Sequence, residues 1–464
     1  MANDLGHCGT RHAVVIGGSL AGLLAARVLA EHAERVTVVE RDRLPEGPDS
    51  RPGVPQGRHL HVLIPGGQRA LDELLPGFMR ELGELGAPRV GVPEDMVQWQ
   101  NGQWFRRSPA TAHFYTGPRA QLEWLVRERV LADPRIELIG GTETTGLVGD
   151  SSRVRGVRLR ERGTEAREGS RVLEADLVVD ASGRSTKAAD WLAGIGAEAP
   201  YEETLDTGLA YGTRLYRASP EGPDTDALGY YVVPNPTQQY GAVVLPLGDG
   251  THLVTLSGLR GNEPPTEGGS FEEYAKRLPH PVISDWLSRA EPISPVHGFR
   301  RTANIRRRYD RPGRRPAGFL ATGDALCAFN PIYGQGMAVA ALSAVALRRA
   351  LADPKRTPTT RTVQKALLDA SKQAWDISAG ADRKMPGASG DTGRPGPADK
   401  AVGWYVRRVQ ARAAGDPVVG APFRAALTLT APLTSLFAPA VAKAVLFGPV
   451  HETPAEPPLR RFGA

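Results

Sequence analysis

The hydrophobic positions of the first forty residues follow two different periods. His12–Gly17 is a short β-branched run, Leu20–His32 repeats its apolar residues at helical spacing, and Arg35–Glu40 is a second apolar run. A strand, a helix and a strand in this order predict a βαβ unit, whose strands pair in parallel. We therefore expect a parallel sheet at the start of the chain.

A different pattern occurs in the middle of the chain. Tyr240–Pro246 and Thr251–Ser257 alternate apolar and polar positions, and Leu247-Gly248-Asp249-Gly250 joins them. Two alternating runs with a short Gly/Asp connection predict an antiparallel hairpin. Residues 209–259 as a whole are therefore expected to form an antiparallel sheet.

Helical spacing is found in several other segments. Residues 66–85 and 118–131 have it, and Ala317–Thr322 is a buried apolar run followed by a loop and a helical pattern to about residue 352. The rest of the chain is helical in pattern, apart from a Gly/Pro-rich loop at Met385–Asp399. The order of elements predicts an α/β protein in which a Rossmann-like domain is interrupted by a sheet domain.

The predicted domain organisation has three units. The discontinuous Rossmann-like domain comprises residues 1–87, 117–200 and 301–352, the inserted antiparallel-sheet domain comprises residues 88–116 and 201–300, and a C-terminal helical region comprises residues 353–464.

Composition excludes several classes of protein. At 464 residues and 41% hydrophobic, the chain has the length of two to four globular domains. Its two cysteines, Cys8 and Cys327, are too few for a disulfide framework or a Cys-based zinc site, and no metal site is expected. The N-terminus lacks a signal-peptide pattern, and the late run Ala421–Val450 is interrupted by Arg424 and Lys443. We expect a cytoplasmic protein without integral membrane association.

The positive charge does not indicate nucleic-acid binding. Lys and Arg number 57 against 51 Asp and Glu, which gives a net charge of +6, and most of this charge is dispersed along the chain. One dense cluster is either a solvated surface stretch or a docking patch for a phosphate-bearing cofactor or an acidic partner. Its members are Arg300, Arg301, Arg306, Arg307, Arg308, Arg311, Arg314 and Arg315.

A nucleotide-binding motif follows the first strand. Gly17-Gly18-Ser19-Leu20-Ala21-Gly22 fits the dinucleotide fingerprint with Ser19 in place of the middle glycine. In this fingerprint the glycines allow a tight turn and a close approach of the backbone, and the helix N-terminus faces the pyrophosphate. Glu40 closes the second strand, where a carboxylate can accept hydrogen bonds from a ribose. The motif predicts a dinucleotide site.

Two later segments favour FAD over NAD as the dinucleotide. Asp180–Ser185 follows one strand, and Gly323–Met337 lies between a buried strand and a helix. An acid at a strand end can accept from ribityl hydroxyls, and a glycine-rich helix start can approach the flavin pyrimidine edge. An NAD enzyme needs no such distant second loop.

The chain resembles a known family at these motifs. Gly17–Gly22 with Glu40, Arg119 in GPRAQLEWL, Asp180–Ser185 and Gly323–Met337 occur in the order found in FAD-dependent aromatic hydroxylase-like monooxygenases. The closer similarity is to actinomycete flavin epoxidases of polyether biosynthesis. It rests on RPGVPQGRHLHVL, DLVVDASGRSTKAADWL and GDALCAFNPIYGQGM, and extends over roughly residues 10–350.

The resemblance implies a set of residues along FAD. It places Glu40 at the adenosine ribose, Asp324 at the ribityl–pyrophosphate region and Pro331 at the reactive flavin edge. The full set of cofactor candidates is Gly17, Gly18, Ser19, Leu20, Ala21, Gly22, Glu40, Arg41, Arg58, Arg119, Asp324, Pro331, Gly334, Gln335, Gly336 and Met337.

The implied reaction is insertion of one oxygen atom from O2 by a flavin C4a-hydroperoxide. Because the cofactor supplies the chemistry, no catalytic side chain is assigned, and the candidates near the flavin are Pro331, Arg58 and His59. His59 and His61 are expected to have a structural or flavin-adjacent role or to relay protons, and Cys327 to be a packing residue. The electron source is NADPH or a partner flavin reductase.

The substrate is expected to be an apolar small molecule. Epoxidation of a polyketide or terpenoid alkene is the first expectation, and the alternatives are ring hydroxylation of a polyketide and O2-independent reduction of isoprenoid double bonds. A halogenase is disfavoured because no Trp-x-Trp-x-Ile-Pro segment occurs. Candidates for the substrate wall are Trp99, Phe114, Tyr211, Tyr230, Tyr231 and Phe299. The sequence does not assign an oligomeric state.

Overall fold

The structure is a computed structural model that describes residues 11–163, 170–219, 225–353, 355, 357–391 and 396–461. The strands in chain order are β1 His12–Ile16, β2 Arg35–Val39, β3 Val62–Leu63, β4 Arg89–Val92, β5 Met96–Gln100, β6 Gln103–Trp104, β7 Ala112–Thr116, β8 Ile136–Ile139, β9 Thr142–Gly149, β10 Val154–Glu161, β11 Arg171–Glu174, β12 Leu177–Asp180, β13 Tyr201–Asp206, β14 Ala210–Arg217, β15 Gly229–Val232, β16 Tyr240–Gly248, β17 Thr251–Gly258, β18 Glu291–Pro292, β19 His297–Phe299, β20 Asn304–Arg308, β21 Phe319–Ala321, β22 Cys327–Ala328 and β23 Ser389–Gly390.

The α-helices are α1 Leu20–Leu29, α2 Pro65–Leu74, α3 Phe78–Glu84, α4 Arg119–Leu131, α5 Ala188–Gly194, α6 Ser270–Tyr274, α7 Val282–Arg289, α8 Gly336–Leu351, α9 Thr360–Asp382, α10 Pro397–Ala413, α11 Pro417–Leu427 and α12 Pro439–Phe447. Short 3-10 turns occur at Pro55–Arg58, Ala275–Arg277, Gly323–Ala325, Pro331–Tyr333 and Leu433–Phe437.

The first sheet is parallel and buried on both faces. Its order is β21-β12-β1-β2-β8, so strands from the start, middle and late part of the chain lie side by side. Every residue of β1 is buried, as expected for a parallel strand covered on both sides. Helix α8 packs against both α1 and α9. The antiparallel strands β9–β11 form a separate three-stranded sheet, and its strand β10 contacts β12.

The second sheet has eight strands and two different faces. Its main path is β18-β14-β17-β16-β15-β5-β6, with β19 paired to β14, and most of its pairs are antiparallel. One face packs on α6 and α7 in a core that contains Tyr216, Phe271 and Trp286. The alternation of side chains turns the other face toward the interior of the molecule.

The C-terminal helices α10, α11 and α12 have a hydrophobic core of their own. Tyr405, Val409, Phe423 and Val445 belong to it, and Phe105 of the sheet region joins them. Among the described residues, no helix is both long and apolar enough to cross a membrane.

The predicted fold class is confirmed, and one predicted helix is corrected. Residues 66–85 form two helices, α2 and α3, because the chain turns at Pro76 and Gly77, where Gly77 has φ +82°. The predicted loop Met385–Asp399 contains β23, which pairs with β13, and residues 392–395 lie outside the described part of the chain. The domain boundaries stay a prediction.

Candidate active site

One large cavity lies where the two sheets and the C-terminal helices meet. Its volume is about 1820 Å³. A pocket for one drug-sized ligand typically has roughly 300–1,000 Å³, so this cavity has room for a dinucleotide and a substrate together. Its walls come from the carboxyl ends of β1 and β2, from the inner face of the eight-stranded sheet and from α9, α10 and α11.

The Gly17–Gly22 turn brings the backbone of α1 to the cavity wall. Gly17 has φ +106°, and a Cβ there would lie 2.5 Å from the Ala181 carbonyl oxygen. A Cβ on Gly22 would lie 1.8 Å from the carbonyl oxygen of Gly17, so only glycine fits both positions. The Ser19 hydroxyl does not cap α1; it donates to Glu123 (3.1 Å) and accepts from Arg119 (3.2 Å). The first N–H groups of α1 are therefore not capped by this side chain.

A buried ion cluster lies beside this turn. The guanidinium of Arg51 is 3.0 Å from Glu40, 3.3 Å from Asp42 and 2.7 Å from Glu123. Desolvation raises the pKa of the Glu123 carboxyl, but Arg119 and Arg51 outweigh it, and the pKa is lowered. Glu40 also accepts from the Gly18 N–H at 2.7 Å. Arg51, Asp42 and Glu123 were not among the residues predicted from the sequence.

The second glycine-rich segment meets the first at the cavity. Gly323 has φ +57°, and a Cβ there would lie 2.6 Å from the Ala21 side chain, which brings Asp324 next to the start of α1. Gly334 has φ +65° and precedes α8. The side chain of Gln335 donates to the Leu427 carbonyl, whereas its Oε1 is buried without a hydrogen-bond partner in the described part of the chain. An orphaned acceptor at this wall is an expected feature of a site that takes a polar ligand.

The Pro331–Tyr333 turn is fixed from both sides. On one side Tyr333 donates to Asp382 Oδ1 (2.6 Å), and Asn330 and Asn304 donate to Oδ2 (3.0 and 2.6 Å). On the other side Tyr231 donates to the Ile332 carbonyl at 3.2 Å. Desolvation raises the pKa of the Asp382 carboxyl although these donors lower it. Asp382 of α9 was not predicted from the sequence.

The wall formed by the second sheet is uncharged and largely aromatic and aliphatic, and the polar side chains on it are those of Gln98, Gln100, Thr255 and Ser257. Tyr211 and Phe299 stack with ring centroids 5.3 Å apart, and His59 meets Tyr211 edge-on at 4.9 Å. Burial raises the pKa of Tyr211, and burial raises that of Tyr231 to about 12, so both phenols stay protonated. Within the described residues, the sheet presents no charged side chain to the cavity.

Both histidines beside this wall are neutral near pH 7. Desolvation, His297 and Arg58 lower the pKa of His59 to about 4, and desolvation and Arg119 lower that of His61 to about 3. His59 is hydrogen-bonded to the Thr213 hydroxyl (2.9 Å), whereas His61 faces the cavity and approaches Arg119 at 3.2 Å.

The structure brings most of the sequence-predicted residues to this cavity. Those that line it are Gly17, Ser19, Leu20, Ala21, Glu40, Arg41, Arg119, Asp324, Pro331, Gly334, Gln335, Gly336, Met337, Phe114, Tyr211, Tyr231 and Phe299. Those that do not line it are Gly18, Gly22, Arg58, His59, Trp99 and Tyr230. Arg58 is exposed on its 3-10 turn, and Trp99 packs on the opposite face of β5 from Gln98 and Gln100. The carboxylate of Asp180 accepts hydrogen bonds from the hydroxyls of Ser182 and Thr186 and so stabilises the turn that follows β12.

Most of the arginine cluster of residues 300–315 is engaged within the protein. Arg306 pairs with Glu203 (2.8 Å), Arg307 with Glu202 (2.9 Å) and Arg308 with Asp310 (2.8 Å). Arg311 lies over the Tyr201 ring at 4.1 Å, and both Arg314 and Arg315 contact Glu198, the latter at its carbonyl. Arg300 and Arg301 are exposed, and Arg301 reaches the cavity. As a docking patch the cluster stays a prediction.

The C-terminal region contributes a wall that the sequence did not indicate. Its apolar part consists of Val402, Val406, Phe423, Leu427, Leu433 and Leu436, and Arg424 stands among them. An apolar helical segment interrupted by one arginine is the signal that was available in the sequence.

We call the end of the cavity beside the Gly17–Gly22 turn the cofactor end, and its residues fit FAD. The fit rests on the two positions where only glycine is accommodated, on the start of α1 without a side-chain cap and on the unpartnered Gln335 Oε1. Helix N-termini with free N–H groups are suited to phosphates, and the buried carboxylate of Glu40 is suited to hydroxyl groups.

Comparison with known proteins agrees with this geometry. A family model described as FAD binding domain matches residues 10–375. Protein Rv3254 of Mycobacterium tuberculosis is 37% identical over 353 residues, which cover 73% of each chain. The 6-methylpretetramide 4-monooxygenase of Streptomyces rimosus is 33% identical over 179 residues, 37% of this chain and 38% of that enzyme.

Solved structures show the same fold. The flavin-dependent brominase Bmp2 superposes with a TM-score of 0.65 at 14% identity, covering 90% of this chain and 93% of that chain. At this identity the likeness shows the fold alone. Since the family model and the mycobacterial relative each cover most of the chain, the protein belongs to the FAD binding domain family of flavin-dependent monooxygenases and is an FAD-dependent enzyme.

Proposed function

We propose that this monooxygenase transfers one oxygen atom of O2 to an apolar natural-product substrate, with an alkene of a polyketide or terpenoid as the reacting group. The observation that carries the proposal is the wall contributed by the second sheet. It presents Tyr211, Tyr231, Phe299 and aliphatic side chains to the cavity together with a few uncharged polar ones and, among the residues described, no charged group. Such a wall favours an apolar substrate over an ionised one.

In this proposal the cofactor end holds FAD through backbone and carboxylate groups. Glu40 would accept from the adenosine ribose, the N–H groups at the start of α1 would bind the pyrophosphate, and Asp324 would accept from the ribityl chain. Arg119 and Arg51 lie next to Glu123 and Glu40 and offset the negative charge of the carboxylates there. Gly336 and Met337 begin α8, and this helix start would approach the flavin ring.

The chain's own groups position the substrate and exclude water. FAD, when bound and reduced, supplies the activation of O2 from which one oxygen atom passes to the substrate. Pro331 and Ile332 form the turn beside which the substrate lies, and Tyr231 and Asp382 hold that turn from opposite sides. The apolar sheet wall keeps water away from the reacting atoms.

The protonation states favour an alkene as the reacting group. Activation of a phenol calls for a base, whereas His59 and His61 have a low pKa and are hydrogen-bonded, and Tyr211 and Tyr231 have a high pKa. An alkene needs only an apolar pocket of suitable shape. Ring hydroxylation of an aromatic polyketide is the second candidate, favoured by the partial similarity to the Streptomyces 4-monooxygenase.

Incubation with 18O2, FAD and NADPH tests the proposal. A panel of polyenes and phenols is offered, and product masses are read. An epoxide that carries one 18O atom is the expected product. A phenol product with one 18O atom would support the second candidate instead. Reduced alkene formed equally well without O2 would overturn both and indicate an O2-independent reductase.

The electron source is tested separately by anaerobic stopped-flow reduction. NADPH is mixed with the holoenzyme in the presence and absence of substrate, and flavin absorbance is followed. Fast reduction by NADPH alone indicates direct use of the nucleotide. Reduction that requires an added flavin reductase indicates the partner.

A further inference from the structure

The side chain of Arg424 is a buried cation in the apolar C-terminal wall of the cavity. It belongs to α11, is 8% exposed and lines the cavity beside Phe423, Leu427 and Leu436. Its Nε donates to the Thr111 hydroxyl at 2.7 Å. In the described part of the chain, no carboxylate forms an ion pair with it, and burial lowers the pKa of Arg424 to about 10, so it stays charged at neutral pH.

Another arginine of the cavity, Arg51, is in the opposite situation. Arg51 contacts three carboxylates, those of Glu40, Asp42 and Glu123. A buried charge without a partner is costly, and proteins retain one where a ligand or a metal provides the compensation. Arg424 therefore has the features of a ligand-binding group and lacks those of a structural ion pair.

The geometry around Arg424 suits a planar anion. Thr111 fixes Nε, which leaves the two terminal nitrogens for a ligand, and a guanidinium presents two parallel N–H groups to a carboxylate. Gly420 makes room for them, since a Cβ there would lie 3.2 Å from one terminal nitrogen and 3.3 Å from the other. The apolar side chains of Phe423, Leu427 and Leu436 on this wall favour an apolar body for the rest of the ligand.

We propose that Arg424 binds a carboxylate at one end of the apolar substrate and so selects free acids over their esters or thioesters. This inference rests on the proposed function, because it takes the cavity of the oxygenation site as the substrate site. The uncharged sheet wall then receives the apolar body and the reacting alkene, and Arg424 receives the acidic end.

Binding of a fluorescent polyene tests this assignment. The holoenzyme is titrated with parinaric acid and with its methyl ester, and the fluorescence of the bound tetraene gives both dissociation constants. Wild type is expected to bind the acid about 10- to 100-fold more tightly than the ester, the range expected for a charge-assisted pair. Arg424→Met is expected to bind both with equal affinity. The matched control Arg407→Met removes an exposed arginine of α10 outside the cavity and is expected to retain the preference.

Several outcomes would overturn the assignment. These are acid binding in Arg424→Met as tight as in wild type, an equal loss in Arg407→Met, or no saturable binding of the acid by wild type. A structural role is tested by the thermal midpoint of the ligand-free holoenzyme. We expect it in Arg424→Met to be no lower than in wild type, because the variant removes an unpaired buried charge, and a fall of several degrees would contradict the proposal.

The titration requires no turnover, so the two proposals fail separately. An Arg424-dependent preference for the acid without 18O incorporation into any substrate would leave the carboxylate site standing and remove the oxygenation. An 18O-labelled product formed at equal rates from acid and ester, in both wild type and Arg424→Met, would support the oxygenation and rule out the carboxylate site.

Discussion

The two ends of the cavity are built in different ways. At the cofactor end, glycine backbone, the start of α1 and the ion cluster of Arg51 with Glu40, Asp42 and Glu123 lie close together, and each charge has a partner. At the substrate end, aromatic side chains of one sheet face helices from the last part of the chain, and Arg424 has no ionic partner among the described residues. The charges of this ion cluster at the cofactor end are compensated within the protein, whereas the charge of Arg424 at the substrate end is not compensated by a described residue.

This difference indicates which substitutions lower the stability of the fold and which change the affinity for the substrate. Tight backbone contacts and buried ion clusters leave no alternative arrangement, so changes there are costly. An apolar wall tolerates changes of shape at smaller cost and responds mainly in substrate affinity. The predictions below test this ranking, beginning with the backbone of the cofactor end.

Gly22→Ala is expected to have the largest effect. Its Cβ would lie 1.8 Å from the Gly17 carbonyl oxygen, so α1 would have to move away from β1. We expect a loss of about 5 kcal/mol or more in the free energy of unfolding, together with loss of FAD. Denaturant unfolding and the flavin absorbance per protein measure both. Gly194→Ala, whose added Cβ would meet no described residue within 4 Å beyond its own helix, is the control and is expected to keep full flavin content.

Arg51→Met is expected to have the second largest effect. It should lower the free energy of unfolding by about 3–5 kcal/mol at pH 7, because it leaves three buried carboxylates without this partner. In wild type the lowered pKa of Glu123 contributes stability above its unfolded value near 4, and this contribution is lost as the pH falls through the folded pKa. In the variant protonation relieves the unpaired charge instead. The stability difference between the two proteins should therefore shrink as the pH falls from 7 to 4.

Urea unfolding at several pH values gives this difference. A gap that is constant with pH would contradict the charge argument. Arg80→Met is the control. Arg80 is exposed and its ion pair with Glu84 is long, at 3.8 Å, so the variant is expected to change the free energy of unfolding by less than about 0.5 kcal/mol.

The same contrast explains what the sequence could predict. Gly17–Gly22 and Glu40 were identified because a strand, a tight turn, a helix and a second strand are contiguous in sequence. Arg51 and Glu123 are 72 residues apart, and Asp382 meets Tyr333 across 49 residues, so their pairing depends on the tertiary fold. Trp375, Ser378 and Asp382 share the buried face of α9, which is the signal that would have indicated a buried acid there.

Trp99 and Phe114 illustrate a limit of a different kind. Both are partly buried aromatic residues in the predicted sheet region, and only Phe114 lines the cavity. Which face of a strand is turned toward a ligand depends on pairing register, and the pattern of a strand with apolar residues on both faces does not specify it.

Asp382→Asn tests the support of the Pro331–Tyr333 turn at intermediate cost. One carboxylate oxygen accepts from Tyr333 and the other from two asparagine amides. An amide that keeps its oxygen toward the asparagines presents its NH2 to Tyr333, whose hydroxyl must then change from donor to acceptor. We expect a loss of about 1–3 kcal/mol in stability and a lower kcat per bound flavin, with flavin content retained. Asp369→Asn, on the exposed face of α9, is expected to leave kcat unchanged. Loss of flavin with an unaltered kcat per flavin would place the role of Asp382 at the cofactor end instead.

Tyr231→Phe is expected to have the smallest effect and acts from the substrate side. It removes the hydroxyl that donates to the Ile332 carbonyl at 3.2 Å, a long neutral hydrogen bond worth about 0.5 kcal/mol. We expect KM to rise about twofold with kcat nearly unchanged. Because burial raises the pKa of Tyr231 to about 12, the effect should be the same from pH 6 to pH 9. Tyr230→Phe removes the hydroxyl of the adjacent residue, which packs in the core beneath α6 and α7, and is expected to leave KM unchanged. Equal changes in both variants would show that the two faces of β15 do not differ in their contact with the substrate.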